Sequence, residues 1–159
     1  MMPAQTSLRV KFTCWSFVPL LLVVAAAAAP YCLSRGYLAG WFSLQRGFAL
    51  VCHQDPERSF WIFGAPLAIC ARCLGIYFGA AIGLLLQASR RIALQFLMIA
   101  AALNLLDWLA ELLDLHGNWM LMRFVLGFAL GAAGALLISS AIDRRGKPMV
   151  RDCRLNTAN

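Results

Sequence analysis

Four metal-binding side chains fall close together in this chain. Cys52 and His53 open the string Cys52-His53-Gln54-Asp55-Pro56, and Cys70 and Cys73 bracket Cys70-Ala71-Arg72-Cys73. A Cys-x-x-Cys pair puts two sulfurs on one turn, near enough to share a metal or to close a disulfide. Cys52 and His53 can supply the other half of a tetrahedral set. Zinc suits such a Cys3His set, because it is redox-silent and indifferent to geometry; iron fits the same ligands. A covalent haem motif does not fit, since Leu74 and not His follows Cys73.

The same residues support two other chemistries. In a thiol–disulfide/quinone oxidoreductase, Cys70 and Cys73 are the redox pair and Arg72 is the cation beside it. A quinone then accepts the electrons, and Cys52 or Cys32 relays the disulfide. Cys-x-x-Cys beside an arginine at the outer end of a span looks like the bacterial disulfide-generating membrane oxidases. The third reading is structural, a disulfide from Cys52 to Cys70 or Cys73 that fastens a loop. No Walker string, Gly-x-Ser-x-Gly or His-Glu-x-x-His occurs to support nucleotide or hydrolase chemistry.

The elements that must position these residues read as membrane helices. Hydrophobic residues make up 62% of the 159 and charged residues 13%, about half the charge of a soluble domain. Four apolar runs, 17–33, 67–87, 92–113 and 120–142, are each near the ~20 residues that cross a bilayer as helix. The expected fold is an all-α integral membrane protein, a single domain over 1–159. Four transmembrane helices form a compact bundle, with a long outer loop, 34–66, between the first and second. Within that loop, Trp41 to Val51 suggests a short interfacial helix, Pro56 a turn, and Phe60-Trp61-Ile62-Phe63 an aromatic anchor.

Charge placement orients the chain. Arg9 and Lys11 precede the first run, and Arg90 and Arg91 separate the second from the third. Arg144, Arg145, Lys147, Arg151 and Arg154 populate the tail, 143–159. The positive-inside rule makes all three segments cytoplasmic, which puts both termini inside a bacterial inner membrane and the cysteines outside. The first run also resembles a signal peptide, with its basic start and Ala25 to Ala29. The net charge of +7 flanks apolar segments and forms no stripe with aromatics, so nucleic acid is not an expected partner. Lipid is, and a second copy or another membrane protein joins it as an expectation.

With this topology the polar residues converge on the outer side. Asn104, Asp107, Glu111 and Asp114 form one stripe along the third span. Arg72 and Arg123 offer matching positive charges, and buried membrane charge seeks such partners. Arg58, Arg72, Asp107 and Arg123 are therefore the expected cofactor-binding residues. No catalytic residue follows from the sequence alone; Cys70, Cys73, Arg72 and Asp107 are the candidates. Cys52, His53, Cys70 and Cys73 are the expected metal ligands. Cys14 and Cys153 fall on the cytoplasmic side, and His116 reads as a turn residue. Gly75, Gly79 and Gly83, with Gly127 and Gly131, recur every fourth residue and predict close helix packing.

Several strings together resemble a known family. They are Cys52-His53-Gln54, Pro56-Glu57-Arg58-Ser59-Phe60, Gly64, Cys70-Ala71-Arg72-Cys73, and Gly75-Ile76-Tyr77 with Gly79. Asp107, and Asn118 with Arg123 and Gly127, extend the likeness to about Ser43–Gly131. The family comprises small bacterial and archaeal membrane proteins classed as domain of unknown function 2085. The chain departs from its pattern at Trp108, where Gly is expected, and at Glu111, where Gln is expected. The resemblance implies a multi-pass membrane protein and brings no reaction with it.

Overall fold

The computed structural model describes residues 4–86, 88–113, 115, 117 and 119–146, with side chains within 15–142. Gln87, Asp114, His116, Asn118 and the tail from Lys147, with Arg151, Cys153 and Arg154, lie outside the described residues. So do the side chains of Arg9, Lys11, Cys14, Arg144 and Arg145. The helices are α1 (Ala4–Ser34), α2 (Leu38–Ala49), α3 (Ala71–Leu85), α4 (Arg90–Leu112) and α5 (Met120–Gly146). A 3-10 turn, Pro56–Arg58, and two strands, β1 (Trp61–Ile62) and β2 (Ala65–Pro66), complete the order. The strands are antiparallel, Trp61 opposite Pro66 and Ile62 opposite Ala65.

Among the described residues, three helices are long and apolar enough to cross a membrane: Trp15–Ser34 of α1, α4, and Met120–Ile142 of α5. The run expected to be helical over 67–87 is shorter, Ala71–Leu85. Its 15 residues rise only about 22 Å, against a hydrocarbon core of about 30 Å. The reason lies in where the preceding backbone donors go. Leu67 N–H is taken by Phe60 O at 2.9 Å and Ala68 N–H by Ala26 O at 3.4 Å. Ala26 O is available because Pro30, four residues on in α1, has no N–H to give it.

That single bond sets a depth. Ala26 lies eight residues before the end of α1 at Ser34, so Ala68 sits about 12 Å below that end. Ala65, Leu67, Ala68 and Ile69 are all buried. The start of the run expected to be helical, 67–69, is thus irregular backbone set in among the helices, with Ala65 at the end of the outer loop beside it. Irregular backbone is tolerated at such depth only where protein surrounds it. α2 forms where an interfacial helix was expected, with Phe48 inward and Leu38 and Phe42 outward.

The glycine pattern packs α3 on α5. A Cβ on Gly75 would overlap Phe124 O, one on Gly79 would overlap Phe128 O, and one on Gly83 Ala132 O. From the other side, Gly127 and Gly131 lie against Arg72 O and Ile76 O. Each helix thus lays its glycines on the other's backbone carbonyls. α1 packs on α3 and α4 on α5. α4 reaches α3 chiefly through one side-chain ion pair, so the expected compact bundle is uneven. Half of the apolar window of α5 is buried, against 17% of that of α4.

Candidate metal centre

Cys52 arrives at the site from α2. Its N–H bonds Phe48 O at 2.9 Å, which tucks the residue beneath the last turn of that helix. Gln54 then clamps the arm in place. Its Nε2 donates to Gln45 O in α2 and to Ala68 O in the inward segment, both at 2.8 Å. Gln54 has φ +53°, a left-handed conformation that turns the chain sharply away from Cys52. Asp55 accepts from Glu57 N–H at 3.0 Å and starts the 3-10 turn. Ser59, fully buried, donates to Asp55 O at 2.8 Å.

Cys70 stands at the N-terminus of α3 and Cys73 one turn inside it. Cys70 N–H donates to Cys52 Sγ at 3.2 Å. The three sulfurs, of Cys52, Cys70 and Cys73, lie within 4.8 Å of one another. Cys52 is buried and the other two are half-buried. Hydrogen bonds from the Cys70 and Cys73 side chains hold the Cys52 thiol well below its ordinary pKa. Burial opposes that shift, and backbone bonds at Cys70 and Gln54 assist it. The N-terminus of α3 also favours negative charge at this point.

The polar residues form a layer beside the sulfurs. Arg72 pairs with Asp107, which is 4% exposed, and so joins α3 to α4. Arg123 of α5, also 4% exposed, meets Glu111 of α4 at 3.0 Å. Arg58 meets Asp55 at 3.0 Å and the same Glu111 oxygen at 2.6 Å, which ties the 3-10 turn to the helices. Asn104 donates to Leu126 O at 2.9 Å and closes the layer below. The interhelical ion pairs expected from the sequence are therefore present. A cavity of about 340 Å³ adjoins them, lined by Cys52, Cys70, Cys73, His53, Asp55, Arg58, Arg72 and Arg123 with Val51 and Ile76.

The structure thus assembles three of the four expected metal ligands. His53 is exposed and lines the cavity, but is not part of the three-sulfur group. Cys32 is also apart; its Sγ lies beneath Gly40 of α2. Cys32, Cys52, Cys70 and Cys73 are free thiols in this structure. Asp107 stands behind Arg72 and does not line the cavity. Sequence reasoning overlooked Gln54 as the clamp. The signal was its place in the Cys-His-Gln string, since an amide can donate to two carbonyls at once.

Apolar helices around a buried layer of thiols and ion pairs define an integral membrane protein with an internal polar site. The chain belongs to the family described as "Predicted membrane protein (DUF2085)", whose model matches residues 52–137. The match begins at Cys52 and takes in the cysteines, the arginines and both glycine ridges. An uncharacterised protein of Methanocaldococcus jannaschii is 32% identical over 124 residues, covering 70% of this chain and 80% of that protein. An uncharacterised protein of Methanothermobacter thermautotrophicus is 48% identical over 33 residues, 21% of this chain and 30% of its own. No solved structure matches.

Proposed function

We propose that Cys52, Cys70 and Cys73 bind a metal ion, zinc or iron, in a membrane protein whose site opens to the outer side. One observation carries this reading: three thiols from two separate segments meet within 4.8 Å. Three thiolates around one zinc stand about 3.8 Å apart, given a Zn–S bond of ~2.3 Å, so little movement is needed. Charge supports it as well. Replacing two thiol protons by one divalent ion leaves the net charge of a monoanionic cluster unchanged, which matters at low dielectric. His53, or water, completes the coordination from the cavity.

The membrane arrangement belongs to the same proposal. α1, α4 and α5 span the bilayer, and α3 with its buried inward segment makes a fourth crossing. Arg90 and Arg91 at the start of α4 mark the cytoplasmic side of an inner membrane, which puts both termini there in this reading.

Elemental analysis of detergent-purified protein tests the metal. Near one zinc or iron per chain, lost in Cys70→Ser/Cys73→Ser, is the expected result. Metal-free protein with its thiols oxidised overturns it. That outcome would favour the second reading, a thiol–quinone oxidoreductase, which the proximity of Cys52 to both other sulfurs supports. There two thiols lose two protons and two electrons as a sulfur–sulfur bond forms, and a quinone takes both to become a quinol.

A further inference from the structure

The cavity wall carries more cations than carboxylates. Among the described residues, Arg58, Arg72 and Arg123 all line it, with Asp55 as the one carboxylate. Asp107 and Glu111, the partners of the helical arginines, stand outside the lining. Arg58 and Arg123 converge on one oxygen of Glu111, at 2.6 and 3.0 Å, and Arg58 has Asp55 as its second partner. Arg72 and Arg123 each engage their acid through Nη2, one corner of a five-donor group. The Nε of each has no partner.

From this geometry we infer that the cavity binds a phosphate group between Arg58, Arg72 and Arg123. The three cations come from three elements, the 3-10 turn, α3 and α5, and so approach from different directions. That suits a tetrahedral oxyanion better than a flat carboxylate, and guanidinium is the side chain best matched to phosphate oxygens. At about 340 Å³ the cavity is small-molecule sized. Burial strengthens the attraction, because little water competes at Arg123. The phosphate can be free or carried on a lipid headgroup, since both present the same oxygens. The inference shares the cavity with the metal centre but does not need the metal.

The test uses full-length protein in a neutral detergent, with metal content measured on each sample. Inorganic phosphate is titrated by calorimetry, and short-chain phosphatidylglycerol is titrated separately. Saturable phosphate binding with a Kd of about 1 mM or tighter supports a free phosphate ligand. Binding of the lipid and not of phosphate supports the headgroup source. In either case Arg123→Gln should weaken binding about tenfold or more, as loss of a charge-assisted hydrogen bond does. Arg58→Gln, on a half-exposed turn, supplies the variant that keeps its fold and should weaken it severalfold. No binding of either probe, or binding indifferent to both substitutions, overturns the inference. Metal-loaded protein that binds neither probe sinks this site alone, and metal-free protein that binds one of them sinks only the metal reading.

Discussion

α3 is held in two different ways on its two sides. Against α5 it lies backbone on backbone, with glycines where side chains would stand. Towards α4 it relies on Arg72 and Asp107. The difference follows from what lipid offers each contact. Apolar side chains gain little by leaving lipid for another helix, so close approach and dispersion must do the holding. Charges gain greatly from a partner there, so one pair can bridge a wider gap. The first contact is a continuous seam that tolerates no added atoms. The second is a point contact that tolerates separation.

Breaking the seam should have the largest effect. Gly79→Leu pushes a side chain into the Phe128 carbonyl, and backbone cannot yield as a flexible side chain would. The expected cost is about 3 kcal/mol or more, seen as loss of the thermal transition in detergent. A variant with unchanged melting would show that the seam is looser than its geometry implies.

Breaking the point contact should cost less in fold and more in position. Asp107→Asn leaves Arg72 without its anionic partner, at about 3 kcal/mol. Asp107→Leu with Arg72→Leu should recover much of that, because neither charge is then buried alone. Thermal unfolding of the two variants checks the sign. Recovery in the double variant would sharpen the comparison, since no comparable rescue is available to Gly79→Leu.

The smallest effect falls on the clamp outside both contacts, which holds the arm of Cys52. Gln54→Ala removes two hydrogen bonds to backbone, about 1–2 kcal/mol in all. The arm carrying Cys52 should loosen while α3, α4 and α5 keep their packing. Faster alkylation of Cys52 with little change in melting temperature is the expected pattern. Equal alkylation rates would assign the arm to its other contacts.

The helices and the seam were legible in the sequence because each rests on a local period. Apolar runs near twenty residues, and glycines every fourth residue, declare a spanning helix and its contact face without reference to the rest of the chain. The convergence of Arg72, Arg123, Asp107 and Glu111 was legible too, since antiparallel helices fix which ends meet. Depth and side-chain direction around the cysteines were decided only by tertiary structure. Ala68 takes the Ala26 carbonyl that Pro30 leaves open, which holds the start of the expected second span as irregular backbone and cuts α3 to 15 residues. Cys52 and His53 are neighbours in sequence, yet one is buried and the other exposed, because successive residues of a non-helical segment face different ways. Such outcomes depend on which backbone groups, far apart in the chain, find each other, and no local pattern encodes that choice.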